Sequence, residues 1–222
     1  MTPFTNHRGR LALLDRANVD TDQIIPKQFL KSIARTGFGQ HLFHDWCYLP
    51  DGRPNPDFPL NAPRFAGASI LVARNNFGCG SSREHAVWAI QQHGFTAVIA
   101  PWQQRGATRV PAFADIFRTN SMKNALVTVE LTEAEVEEIF RMVARYEGLD
   151  ATVDLDRQRV TLHLPEEVSF HFEIEPAVKT RLLHGLDDIG LSLHHEAAIR
   201  AFEQRHDTQW VSSPPRPASS NR

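Results

Sequence analysis

The stretch between Ala68 and Ala100 constrains the fold more than any other part of the chain. Ala68-Ser69-Ile70-Leu71-Val72-Ala73 is a short apolar run, the pattern of a strand buried on both faces. Residues 75–82 form a Gly-rich loop, and residues 83–93 then carry a helical pattern closed by Gly94. Ala97-Val98-Ile99-Ala100 is a second apolar strand, stopped by Pro101. Strand, loop, helix and strand in this order imply a parallel crossover unit. The chain is therefore α/β.

The flanking segments extend this unit. Gly9-Arg10-Leu11-Ala12-Leu13-Leu14 predicts a first strand, and Asn18-Val19-Asp20-Thr21-Asp22-Gln23-Ile24-Ile25-Pro26 predicts a loop, because acidic residues follow where the apolar run stops. Residues 27–63 hold five prolines along with Gly37, Gly39 and Gly52, so a short helix near 27–31 should give way to irregular surface excursions. Residues 102–111 read as loop, 112–122 as helix and 127–131 as strand. Thr132-Glu133-Ala134-Glu135 has capping-box spacing and opens a helix reaching Tyr146 and Gly148. Residues 152–155, 159–164 and 169–174 predict an antiparallel meander. Helices are expected over 177–184, ended by Gly185, and over 193–205. The expectation is one domain over 1–211, with a mixed, partly parallel sheet flanked by helices. Residues 212–222, with three prolines and four serines, predict a disordered tail.

Charge and cysteine usage narrow the function. Lys and Arg number 24 against 26 Asp and Glu, a formal charge of −2, which is not the basic footprint of a nucleic-acid binder. No apolar stretch approaches the roughly 18 residues that span a bilayer. The first residues, Met1-Thr2-Pro3-Phe4-Thr5-Asn6-His7-Arg8, lack the apolar run of a secretory signal, so a cytoplasmic location is expected. Cys47 and Cys79 are the only thiols. Two thiols are a weak disulfide framework and cannot ligate an iron–sulfur cluster that needs three or four.

The segment richest in chemistry is Asn75-Asn76-Phe77-Gly78-Cys79-Gly80-Ser81-Ser82-Arg83-Glu84-His85. It leaves the C-terminal end of a strand and opens a helix, where open α/β sheets bind ligands. Its glycines allow sharp turns, the helix amides favour an anion, and Arg83 offers a planar fork for a carboxylate or phosphate. A dinucleotide fingerprint would need glycine where Arg83 stands, a P-loop would need Gly-Lys-Ser/Thr, and a nucleophile elbow would need serine in place of Cys79. Ser81 and Glu84 also have capping-box spacing, and that role alone would explain both. Cys79 reads as an inert small residue, His85 and His93 as satisfied or solvent-facing, and His194-His195 as a poor metal pair. Asp20 and Asp22 suit a turn or cap, and Arg35-Thr36-Gly37-Phe38-Gly39 suits a surface turn or a mobile substrate loop.

Taken together these motifs resemble the small subunits of 3-isopropylmalate dehydratase, in the aconitase superfamily, from about Gly9 to Glu203. The strongest parts are Asn18–Pro26, Arg35–Gly39 and Asn76-Phe77-Gly78-Cys79-Gly80-Ser81-Ser82-Arg83-Glu84-His85-Ala86; Phe113–Phe117 and Gly185–Leu191 add weaker support. The resemblance implies the swivelling β/β/α fold. It also implies a hydro-lyase that isomerises 2- and 3-isopropylmalate through 2-isopropylmaleate, in leucine biosynthesis. By resemblance, Ser81 is the base, Ser82 and Arg83 hold substrate carboxylate, Asp22 supports the site's hydrogen bonding, and Arg35 is a second substrate-binding arginine. The superfamily's Lewis acid is one iron of a [4Fe–4S] cluster, expected here in a large partner subunit of a heterodimer or higher hetero-oligomer. No metal is expected on this chain.

One departure stands out. Family members run almost directly from the Ala100-Pro101 equivalent into a Ser-Phe-Ala-Asp-Ile-Phe segment, whereas here residues 102–111 intervene and Ala112 takes the serine's place. The insertion could border the site or the partner interface. Rival readings are a related hydro-lyase for methylmalate/citraconate or homocitrate, and a stand-alone anion-binding module in which Ser81 and Glu84 merely cap a helix; Leu30 and Ile33, next to Arg35, are a candidate apolar wall for the isopropyl group.

Overall fold

The computed structural model describes residues 1–31, 35–81, 83–193 and 195–205, in two units, Met1–Gly185 and Leu186–Arg222. The tail expected over 212–222 lies outside the described residues, as do Ile33, Ser82 and His194.

The first unit is built on seven strands: β1 (Asn6–Leu14), β2 (Ile70–Ala73), β3 (Ala97–Pro101), β6 (Val127–Leu131), β7 (Asp150–Asp154), β8 (Arg159–Leu162) and β9 (Val168–His171). They pair in the order β6-β3-β2-β1-β7-β8-β9. The first four run parallel, and the last three form the expected antiparallel meander. Strand β1 is the seam. Its residues Leu11 to Leu14 pair in parallel with β2, while Asn6 to Arg10 pair antiparallel with β7. It therefore starts three residues earlier than Gly9, where its polar residues find β7 as a neighbour.

The parallel strands are apolar throughout because both faces are covered. Leu71, Ala73, Val98 and Ala100 face one core, completed by helix α3 (Glu84–His93), helix α4 (Asp115–Lys123) and the excursion between β1 and β2. Ile70, Val72, Ala97 and Ile99 face the other, against helix α5 (Glu133–Arg145), the meander and helix α6 (Pro176–His184). Helix α5 opens with the expected capping box, Thr132 with Glu135, and buries Val136, Ile139, Phe140 and Val143 along one stripe.

Three expectations need correction. The segment 18–26 is not all loop: it contains helix α1 (Thr21–Ile24), which Asp20 caps and Gln23 completes as a capping box. Residues 102–111 are not loop but an antiparallel hairpin, β4 (Gln103–Arg105) and β5 (Thr108–Val110), with Gly106 at positive φ in its turn. Helix α4 starts at Asp115, because Phe77 and Phe113 pair as a parallel bridge and hold the preceding residues extended. In the excursion, 27–31 forms a 3-10 helix, and a single helical turn α2 (His44–Cys47) follows further on. In the second unit the helix expected over 193–205 is α8 (Glu196–Glu203), and a further short helix, α7 (Asp188–Leu193), precedes it.

Candidate active site

Three chain segments meet at the C-terminal ends of the parallel strands, the position where open α/β sheets bind ligands. The loop after β2 lies in the middle. On one side the Gly78 and Cys79 N–H groups donate to the Val19 carbonyl at 2.8 and 3.2 Å, and the Thr21 N–H donates to the Cys79 carbonyl at 3.0 Å. On the other side the Phe77 N–H donates to the Ala112 carbonyl at 2.9 Å, and the Ala114 N–H returns to the Phe77 carbonyl at 3.1 Å. Phe77 is fully buried against Phe113 and Phe117, burial that contributes about 1.5–3 kcal/mol to holding the loop down.

Two glycines shape this loop. Gly78 and Gly80 have φ of +75° and +83°, and a Cβ on Gly78 would sit 2.2 Å from Phe117 Cγ. A Cβ on Gly80 would sit 1.9 Å from Asp20 Oδ2. The backbone can therefore pass directly beside the carboxylate that caps α1.

The expected site residues fall as follows. Asp22 is in the first turn of α1, and its Oδ1 accepts from Arg83 Nη1 at 3.2 Å. This bond joins the loop after β1 to the loop after β2. Ser81 is exposed, and its carbonyl accepts from Thr21 Oγ1 at 3.2 Å. Arg83 is the N-cap of α3, with no side-chain capping bond, so α3 does not open on the capping box that the spacing of Ser81 and Glu84 allows. Glu84 instead accepts from Asn124 Nδ2 at 2.8 Å, an amide that also holds Trp88 Nε1 through its oxygen at 2.9 Å. Ser82 lies outside the described residues.

Arg35 is placed by a different set of contacts. Its carbonyl accepts from Gln92 Nε2 at 2.7 Å, the Phe38 N–H donates to Gln92 Oε1 at 2.8 Å, and its guanidinium lies 5.8 Å from the Trp88 ring centre. Phe38 also packs edge-on against His85, which is half-buried beside Trp88. The Arg35 loop is thus seated on α3, and among the described residues its contacts do not reach Asp22 or Ser81. Leu30 is half-buried and packs against the core under the excursion.

Sequence reasoning missed Lys27, whose Nζ lies 3.0 Å from Asp22 Oδ2. No periodicity links the two, because Ile25 and Pro26 leave the helix between them. It also treated Asp20 as one of two equivalent turn residues, although the spacing of Asp20 and Gln23 is a readable capping signal. The thiols are quiet. Burial, and then the charge of Asp20, push the Cys79 thiol up, and burial pushes Cys47 up to about 11. Among the described residues no three His, Cys, Asp or Glu side chains gather as a metal site.

This geometry can be set beside known proteins. The aconitase C-terminal domain family matches residues 1–134, and the family of the C-terminal domain of 3-isopropylmalate dehydratase small subunits matches residues 188–210. A curated relative from Desulforapulum autotrophicum, described as a 3-isopropylmalate dehydratase small subunit, is 57% identical over 211 residues, covering 95% of this chain and 98% of that protein. This chain belongs to the family of 3-isopropylmalate dehydratase small subunits. The crystal structure of a 3-isopropylmalate dehydratase from Methanocaldococcus jannaschii superposes with a TM-score of 0.58 at 24% identity, over 89% of this chain and 99% of that one, and shows the same fold. Within a 3-isopropylmalate dehydratase small subunit, the Gly-rich loop after β2 occupies the first matched domain and α7 and α8 the second.

Proposed function

We propose that the chain is the small subunit of a cytoplasmic hydro-lyase that interconverts 2- and 3-isopropylmalate through the alkene diacid, in leucine biosynthesis. The observation that carries this reading is the Asp22–Arg83 ion pair, formed two residues after an exposed Ser81 in a loop whose helix takes Arg83 as its N-cap. A base, a carboxylate-binding fork and an acid that orients the fork thus come from two loops at one sheet end.

The reaction removes a proton from carbon and hydroxide from the neighbouring carbon, then adds water back with the positions exchanged. Ser81 takes the proton. A free hydroxyl is a feeble base, and the Arg83 charge with the first-turn amides of α3 stabilises the alkoxide. The rest of the Arg83 fork and Ser82 hold a substrate carboxylate, with Arg35 serving a second one from the loop seated on α3. Asp22 orients Arg83 through Nη1.

Departure of hydroxide calls for a Lewis acid. The donor set of this chain does not fit a [4Fe–4S] cluster, because Cys47 and Cys79 are its only thiols and both are held in their protonated form near neutral pH. The large partner subunit is the source of that group in this reading.

Reconstitution tests it. The purified chain alone should be iron-free and inactive, and addition of a cluster-loaded large subunit should start conversion of 3-isopropylmalate. Turnover by the chain alone after rigorous chelation would refute the reading. Faster turnover of citraconate or homocitrate by the same complex would assign the substrate to a neighbouring diacid.

A further inference from the structure

Asp22 divides its carboxylate between two cations. Oδ1 accepts from Arg83 Nη1 at 3.2 Å, and Oδ2 faces Lys27 Nζ at 3.0 Å. Among the described residues Arg83 gives Asp22 only this one N–H, although a guanidinium and a carboxylate normally close into a two-bond pair when both oxygens are free. Lys27 is 69% exposed at its side chain, against 34% for Arg83 and 32% for Asp22, so the ammonium is the solvent-facing member of the three.

We infer that Lys27 is a positioning residue, which by occupying Oδ2 prevents Asp22 from chelating Arg83 and so keeps the remaining N–H groups of the Arg83 fork available for an anionic substrate. The backbone sets this up. Asp20 fixes Asp22 by accepting its N–H at 2.6 Å, and the buried Ile24 and Ile25 anchor the chain before Pro26 turns it into the 3-10 helix that begins at Lys27.

Removing the ammonium while keeping the aliphatic stem tests the idea. In Lys27→Met, Oδ2 loses its partner and Asp22 should rotate to take Arg83 through two bonds. Nitrogen-15 side-chain spectra of the chain alone, with the Arg83 signal assigned by its loss in Arg83→Lys, should show slowed rotation about the Arg83 Nε–Cζ bond. That slowing should vanish in the Lys27→Met, Asp22→Asn double variant, where no carboxylate is left to close the pair. The kinetic consequence rests on the hydro-lyase reading: in the reconstituted complex KM for 3-isopropylmalate should rise about fivefold to tenfold with kcat within about twofold. Lys27→Arg should keep KM near the wild-type value. Unchanged Arg83 rotation in Lys27→Met overturns the inference, as does a loss of kcat at constant KM. A wild-type complex inactive on every diacid removes the hydro-lyase reading instead, and the spectroscopic comparison still decides the role of Lys27.

Discussion

Asn76 donates its side-chain amide to the side chain of Asn18 across 2.8 Å, and both residues hold left-handed backbone, with φ of +57° and +55°. Asparagine tolerates this conformation better than other non-glycine residues. The pair sits at the base of the two loops that carry Asp22 and Ser81, and the Asn18 N–H adds a bond to the Asn75 carbonyl at 3.0 Å. Asn76→Gly should cost only about 0.5–1.5 kcal/mol, the lost hydrogen bond, since glycine adopts the same backbone. Asn76→Val should cost about 1–3 kcal/mol more, because a β-branched residue is strained at positive φ. Urea unfolding of both variants checks the order, and equal stabilities would refute it.

Ser81→Ala separates chemistry from stability. Ser81 is exposed and the N-cap of α3 falls on Arg83, so the change should leave stability within about 0.5 kcal/mol. If Ser81 is the base, kcat should fall by about 10²-fold or more in an assembled complex. Ser81→Asp should not restore it, since a fixed carboxylate would repel the substrate's own. Thermal melts with steady-state rates measure both, and near-normal turnover would take Ser81 out of the reaction.

The two loop glycines should fail differently. Gly78→Ala drives a methyl into the Phe117 ring at positive φ, which should cost about 2–5 kcal/mol and lower Tm accordingly. Gly80→Ala is also strained at positive φ, but its nearest neighbours are the atoms of the Asp20 side-chain carboxylate rather than a buried ring. It should cost less stability, yet it displaces the α1 cap and hence Asp22, so activity should fall further than the melt predicts. A Gly80→Ala complex with full activity would contradict this coupling.

The thiols give a pH signature. The folded thiol of Cys47 ionises near 11, above its unfolded value, so the folded state holds a proton that the unfolded chain releases first. The stability tied to this proton is fully present below about pH 9 and is lost as pH rises toward 11. Cys47→Val should flatten that decline in urea melts at pH 8, 9, 10 and 11. Cys79 should react slowly with a thiol reagent at pH 8, and faster in Asp20→Asn, where the opposing charge is gone.

Local signals made most of the fold legible. The apolar runs at 70–73 and 97–101 and the turn residues around them required a parallel crossover, and the Thr132–Glu135 cap placed α5 to within a residue. The hairpin at 103–110 was opaque because its strands are short, polar and exposed, held instead by Arg109 on Glu130 at 3.2 Å and over Trp102. At the site, Ser81, Arg83 and Asp22 could be named from motif resemblance, but their juxtaposition depends on pairing between Val19–Thr21 and Gly78–Cys79, separated by about sixty residues. The spacing of Ser81 and Glu84 allows a cap as readily as a catalytic loop, and tertiary contacts decide between them: α3 takes Arg83 as its N-cap, and Glu84 accepts from Asn124 of a distant segment.

The division of β1 between two neighbours also sets an order of events for a chain emerging from the ribosome. Leu11 to Leu14 can find β2 once residue 73 has been made, but Asn6 to Arg10 must wait for β7, whose Asp154 lies opposite Asn6. From residue 73 to residue 154 the same strand is half paired and half bare. Its early part, Asn6 to Arg10, is polar or charged at every position but Gly9, which makes that waiting edge a poor template for another chain. The Asp22–Arg83 pair needs only the earlier half, so the candidate site can close before the sheet does.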